Sequence, residues 1–195
     1  MTEPPLFEVA PPERVELPDG LALVRPRPDL VPSAVVGINE SLQHLRPWMA
    51  WAQHPATEEA IAAVYAEADE QWSQRRDFLY VLVEAATDRV VGGSGLHGRL
   101  GTTGLEIGYW IHVDLAGRGV ATEIARALTS AAFGIPAVER VRIQCAVDNV
   151  RSARIPEKLG YALVSDGEPG EGPCEGVATQ QWIVERQSWT SAIVS

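Results

Sequence analysis

The sequence predicts an α/β (α+β) fold, a mixed central sheet with helices packed on it. Three observations carry this. Strand-like apolar runs alternate with helical spacing in the order strands, helix, strand, helix, strands, which is a layered α/β pattern. The 195 residues, 46% of them apolar and 22% charged, suffice for one domain with a substantial core. No internal repeat or linker-like stretch divides the chain.

Residues 1–12 read as a flexible, Pro-rich arm and 13–195 as a single domain. "RVELPDGLALVRP" holds two short apolar runs around Pro18, Asp19 and Gly20, a hairpin-like turn signal. "DLVPSAVVGINESLQHL" has helical spacing through Val31, Val35, Ile38, Leu42 and Leu45. In "HPATEEAIAAVYAEADEQWSQRR", Thr57 suits an N-cap, and Glu58 and Glu59 suit the positive end of a helix dipole. Between these helices lies "HLRPWMAWAQH", dense in aromatic residues and histidine.

"FLYVLVEAATDRVVGGSGLHG" reads as two strands joined at Ala86, Thr87 and Asp88, and "GLEIGYWIHV" as another strand. "GVATEIARALTSAAFG" is a helix with an apolar face through Ile124, Ala127, Leu128 and Ala131, stopped by Gly134 and Pro136. "RVRIQCAV" is a strand turning Val141, Ile143 and Cys145 inward. "NVRSARIPEKLG" is a short helix, and "YALVS" and "ATQQWIVERQSW" are the last strands.

The formal net charge of -10 argues against a general nucleic-acid binder, which needs Lys and Arg for phosphates, and allows attraction of a cationic substrate. Cys145 and Cys174 are too few for a disulfide framework, and no CxxC or His-rich cluster suggests a metal. The N-terminus has no apolar signal core, and no run approaches the ~20 residues that span a bilayer, so a cytoplasmic setting without a membrane partner is expected.

In "HVDLAGRGVAT" a strand, a tight turn and a helix follow one another. Gly117 and Gly119 permit positive φ and close approach of a ligand, and the first helix amides make an anion site to which Arg118 can add charge. A plain strain-relieving turn has the same signature. A dinucleotide fingerprint fits poorly, because Thr122 stands where a third glycine belongs and the preceding strand carries Glu106, Trp110 and His112 on one face. A P-loop fails for want of Gly-Lys-Ser/Thr.

"LEIGYWIHVDLAGRGVATEIARAL" followed by "VERVRIQCAVDNVRSARIPEKLGY" resembles the GNAT superfamily of N-acetyltransferases, and most of all its RimJ/RimL-type branch. The resemblance runs from about Arg14 to Trp189 and includes the upstream "INESLQHLRPWMAW". It implies a central sheet of about six to seven strands with an acyl-CoA cleft between the two central ones. It implies that acetyl-CoA is the co-substrate. Its pyrophosphate would lie on amides around Arg118, Gly119, Val120, Ala121 and Thr122, and its pantetheine arm along the strand edge at Ile111, His112 and Val113. Ala116 departs from the family's pattern, which has a polar side chain there. The matching Asn, here Asn149, contacts the cofactor in the family; Asn is equally a good helix cap. Pro156 stands where many members carry an acidic tyrosine, and the RimL-like branch points instead to Ser152 near the CoA sulfur.

The implied reaction is direct attack of a primary amine on a thioester in a ternary complex, with amides near Ile111 to Val113 as oxyanion donors. Glu106 is the expected base; a salt-bridged strand carboxylate is the equal alternative. His112 and His44 are further candidates. The acceptor side draws on His44, and on Trp48 and Trp51, three apart, which are equally consistent with core packing. It draws too on the loop 165–176, where Glu168 and Glu171 either attract a cationic amine or are simply solvated. The acceptor is a protein N-terminus or a small cationic amine, and exposed sheet edges allow a homodimer. A non-catalytic acyl-CoA-binding domain, or an enzyme using another donor such as succinyl-CoA, shares these features.

Overall fold

A computed structural model describes the backbone of residues 4–193, and their side chains apart from 173 and 190–193. The strands are β1 (Arg14–Glu16), β2 (Leu21–Val24), β3 (Asp77–Glu84), β4 (Arg89–His97), β5 (Gly104–Ile111), β6 (Arg140–Ala146), β7 (Ala162–Pro169) and β8 (Ala178–Glu185). They form one sheet in the order β1-β2-β3-β4-β5-β6-β8-β7, eight strands where six to seven were expected. All neighbours are antiparallel except β5 and β6. The parallel pair needs a crossover, and α3 (Val120–Phe133) supplies it. The other helices are α1 (Val31–Leu45), α2 (Glu58–Ser73), α4 (Val150–Lys158) and α5 (Arg186–Ile193).

Period-two alternation sorts side chains to two faces. Leu82, Leu105, Ile107, Val141 and Ile143 pack with Ile124 and Leu128 of α3 in the larger core. Val81, Val83 and Val90 pack with Val31 and Ala34 of α1 and Tyr65 of α2 in the smaller one. The α1 face is set by a glycine: a Cβ on Gly37 would stand 2.6 Å from the Val90 carbonyl oxygen, so the helix lies close on β4. Its buried line therefore runs Val31, Ala34, Gly37, Ile38, Ser41 and Leu45, leaving Val35 and Leu42 half-buried.

Four other expectations change. The N-terminal arm is docked where it is described. Phe7 is buried against Phe78 at 6.0 Å between ring centroids, and the Tyr80 hydroxyl donates to the Pro12 carbonyl (2.7 Å). The buried face of α3 is Ile124, Ala125, Leu128, Thr129 and Ala132, rotated from the apolar reading. Thr129 can be buried because its hydroxyl bonds to the Ala125 carbonyl and the Tyr161 hydroxyl. β7 runs on to Pro169 through two register shifts, so Glu168 is a strand residue. The last strand ends at Glu185, because Arg186 turns back to donate to the carbonyls of Phe133, Ile135 and Val138, and α5 follows.

Candidate active site

β5 delivers the chain to the glycine turn. Gly117 and Gly119 have φ of 78° and 84°, and a Cβ on either would meet nothing within 4 Å, so conformation and not space requires glycine there. The Ala116 and Arg118 amides donate to Val113 and Leu115, and those of Thr122 and Glu123 to Gly119. The amides of Gly117, Gly119, Val120 and Ala121 have no acceptor among the described residues. They gather at the positive end of α3, a geometry that suits a pyrophosphate. Of the expected amides, Gly119, Val120 and Ala121 are free, whereas those of Arg118 and Thr122 are engaged within the turn. Gly117 completes the set. The Arg118 side chain is exposed beside it.

β5 and β6 pair from Gly104 and Arg140 to Ile107 and Ile143 and then part, although β5 continues to Ile111 and β6 to Ala146. The His112 amide donates to the Val91 carbonyl (2.9 Å). By antiparallel alternation, the backbone groups of Gly108 and Trp110 then face β4, and those of Tyr109 and Ile111 face the side that β6 has left. An amide-bearing arm can add to that edge. The free edge thus sits at Tyr109 and Ile111, not at Ile111 to Val113. The Val113 amide donates to the Ser41 hydroxyl (3.1 Å). His112 is buried, its Nδ1 accepting from the Asp114 amide (3.2 Å) and its Nε2 lying 3.0 Å from a Glu40 carboxylate oxygen. Its Nε2 thus ties the turn to Glu40 of α1, its Nδ1 braces Asp114 within the turn, and its amide holds the end of β5 to β4, so its polar groups are engaged in structure.

On the α3–α4 face of the gap, the Tyr109 hydroxyl and Ser152 Oγ are 2.8 Å apart. Burial holds the Tyr109 phenol well above the ordinary range, with the Ser152 hydrogen bond pulling the other way. Cys145, next to the same hydroxyl, is pushed up to about 11 by burial. Asn149 caps α4, its Oδ1 accepting from the Ser152 amide (3.2 Å), so it fixes where Ser152 stands. Pro156 is buried within α4.

On the opposite face, Glu106 is buried between two arginines. Arg142 donates from Nε (2.8 Å) and approaches with Nη2 (2.7 Å) at Oε2, while Arg99 donates to Oε1. Both carboxylate oxygens thus carry charge-assisted bonds from arginine, which is the geometry of the salt-bridged carboxylate. Arg142 also holds Glu171 (3.2 Å), and Gln144 donates to the Glu171 carbonyl (3.0 Å), which pins the segment after β7 against β6. Glu171 therefore reaches the rim of the site through an ion pair. Glu168 is exposed on the edge strand and makes no ion pair among the described residues.

Trp48 and Trp51 are 40% and 50% exposed, which excludes core packing for both. Trp51 meets Trp110 edge-on at 6.2 Å, so the segment after α1 reaches β5. His44 is half-buried on the last turn of α1. Trp110 lies across Gly93, where a Cβ would stand 2.5 Å from its indole nitrogen. His97 lies in the same way across Gly95, with a Cβ there 2.6 Å from Nε2.

Sequence reasoning missed Tyr109, His97, Asp77, Arg99 and Arg142. Alternation in "EIGYWI" already set Tyr109 on the face opposite Glu106, and glycines two and four residues before His97 signalled a ring lying on the sheet. The arginine partners of Glu106 had no local signal.

Residues 21–162 match the family described as acetyltransferase (GNAT) domain. A segment of 67 residues, 34% of this chain, is 37% identical to YdaF of Bacillus subtilis (strain 168), which bears the name of a ribosomal N-acetyltransferase; the segment spans 36% of that protein's length. The self-immunity acetyltransferase MccE, solved with acetyl-CoA and AMP, superposes with a TM-score of 0.79 at 16% identity, over 89% of this chain and 97% of its own. RimJ of Mycobacterium smegmatis, solved with a CoA disulfide, superposes with a TM-score of 0.74 at 16% identity, over 93% and 91%. These two likenesses are of fold. The matched domain contains the glycine turn, the parting strands and the Asn149–Ser152 cap, and the chain belongs to the GNAT acetyltransferase domain family.

Proposed function

We propose that this protein is an N-acetyltransferase that moves the acetyl group of acetyl-CoA onto a primary amine by direct attack in a ternary complex. The observation that carries the reading is the opening between β5 and β6 beside four unengaged amides at the start of α3. One holds an extended amide-bearing arm and the other a pyrophosphate, and the two are joined by the few residues from Ile111 to Gly117. The backbone amide of Tyr109 or Ile111 is then the donor for the tetrahedral oxyanion. Ser152, backed by Tyr109, is the hydroxyl pair that stands near the departing thiolate, and it answers the absence of a hydroxyl at Pro156. Glu106 holds Arg99 and Arg142 in place and is not the group that takes the amine proton.

For the acceptor we favour the amine of a protein N-terminus. YdaF is named for ribosomal N-acetylation. Trp51 against Trp110, with Trp48 exposed three residues before, offers aromatic surface on the α1–α2 face that an extended peptide end can reach. A small cationic amine is the second candidate, given the net charge of -10. The open β7 edge leaves a homodimer within this reading, and light scattering on the purified chain checks it.

The test pairs binding with turnover. Calorimetry with acetyl-CoA, succinyl-CoA, CoA and NAD should give binding of acetyl-CoA and CoA and none of NAD. Free-thiol release is then followed with peptides bearing free N-terminal amines, with the same peptides N-terminally blocked, and with polyamines. Release that requires the free N-terminus supports the assignment. Tight acetyl-CoA binding without release on any amine would establish the non-catalytic alternative.

A further inference from the structure

His97 and Asp77 form a pair that the reading above does not use. They are register partners on β4 and β3, and His97 Nδ1 lies 3.0 and 2.9 Å from the two Asp77 carboxylate oxygens. That contact makes Nδ1 the protonated nitrogen of the neutral ring and leaves Nε2 with an open lone pair. Nε2 has no hydrogen-bond partner among the described residues, and the side chain is 17% exposed. The direction is set by the missing side chains beneath it: a Cβ on Gly95 would stand 2.6 Å from Nε2, and one on Gly108 would stand 3.4 Å from it. Gly108 is the first residue of β5 beyond its last pairing with β6. The lone pair therefore stands at the mouth of the gap, on the α1–α2 face. Tyr109 is the next residue, so its hydroxyl and Ser152 stand on the other face of the same strand. The cross-strand partner of His97 on β5 is Glu106, whose oxygens are held by Arg99 and Arg142; Arg142 also holds Glu171, and Glu40 lies further along this face on His112.

We propose that His97 is the proton acceptor of the acetyl transfer and that Asp77 is its positioning residue; this rests on the acetyltransferase reading. The acceptor arrives as an ammonium on the α1–α2 face and gives one proton to His97 Nε2. The freed amine nitrogen attacks the thioester carbonyl carbon. The N–C bond forms and the C–S bond breaks, with its electron pair going to sulfur. The remaining excess proton on nitrogen passes to the thiolate on the Ser152 side, leaving an amide and a free CoA thiol. His97 returns its proton to water. The acceptor and donor of protons thus sit on opposite faces of one strand, with the reacting carbonyl between them.

The test uses the full chain with acetyl-CoA and the best amine of the panel. His97→Gln should lower kcat by about 100-fold while the acetyl-CoA Kd stays within twofold. His97→Ala should behave alike and regain part of its rate in added imidazole. Asp77→Asn should lower kcat by about tenfold with both KM values kept, and Asp77→Glu should recover part of that loss. Gly108→Ala meets only the histidine ring at ordinary contact distance, so it should fold normally and raise the KM for the amine alone. A His97→Gln enzyme with wild-type kcat at saturating amine, or a His97→Ala enzyme deaf to imidazole, overturns the assignment and leaves the acetyltransferase reading standing. A wild-type protein that binds acetyl-CoA but acetylates no amine overturns both.

Discussion

The Tyr109 hydroxyl and the Ser152 hydroxyl meet at 2.8 Å across the opening where β5 and β6 part, one carried by a strand and the other by the first turn of α4. They are 43 residues apart in the chain, and only the crossover through α3 and β6 brings them together.

If this pair protonates the thiolate, its members act as a unit. Ser152→Ala should cut kcat by about 100-fold with acetyl-CoA affinity kept, and Tyr109→Phe by less, since Ser152 would still reach water. The double variant should be no worse than Ser152→Ala alone, because a second loss in one relay adds nothing. Steady-state thiol release on the three variants decides it. Effects that multiply would mean that the two hydroxyls act separately.

The Glu106–Arg142 contact predicts a stability defect of a particular sign. Both side chains are about 5% exposed, so removing Arg142 leaves the buried Glu106 charge with only Arg99 at its other oxygen. Arg142→Met should cost about 3–5 kcal/mol in urea unfolding. The double variant Glu106→Gln with Arg142→Met should recover much of that loss, since the charges that then lose a partner, Arg99 and Glu171, are 32% and 68% exposed and reach water. A double variant no more stable than Arg142→Met alone would show that the pair is not what holds these strands.

How much of this was legible in the sequence depended on where the cause lay. The glycine turn was readable because positive φ leaves a glycine signature, and β6 because Val141, Ile143 and Cys145 alternate cleanly. The buried face of α3 was misplaced because Thr129 reads as polar until Tyr161 is beside it. The end of β8 was hidden because Arg186 answers carbonyls about fifty residues away in sequence. Asp77 and His97 are unremarkable strand-end residues until the β3–β4 register sets them opposite each other. Glu106 was identified as a residue that matters, but its two alternative roles could be separated only by seeing what touched its oxygens.

Gly119 is constrained by conformation alone, which gives a clean prediction. With nothing within 4 Å of an added Cβ, Gly119→Ala should cost about 1–2 kcal/mol for the left-handed backbone and no more. If the backbone instead relaxes out of the left-handed region, the amides at the start of α3 turn away from one another. Acetyl-CoA affinity should then fall more than tenfold while Tm drops only a few degrees. Calorimetric titration alongside a melting curve checks both. Unchanged affinity together with a Tm loss would mean that the backbone keeps its left-handed form, whereas unchanged affinity with no Tm loss would show that the turn tolerates relaxation and does not hold the pyrophosphate.

Alkaline pH should unfold the protein through its buried phenols. Burial raises Tyr65, Tyr80, Tyr109 and Tyr161 above the ordinary value of 10.0. In the unfolded chain the same phenols lose their protons near pH ~10. A group whose folded pKa is raised contributes its stability in full below the unfolded value and loses it as pH climbs from there through the folded value. Above pH ~10 the folded state holds more protons than the unfolded one, so the unfolding free energy must fall with each further rise. Tm should be insensitive to these residues below that pH and drop steeply above it. Phenolate absorbance from the four should appear together with the loss of near-ultraviolet circular dichroism. Tyr161→Phe removes one of the four and should make the alkaline slope shallower. Phenolate absorbance that rises fully before the circular dichroism changes would mean that these hydroxyls ionise in the folded protein, contrary to their burial.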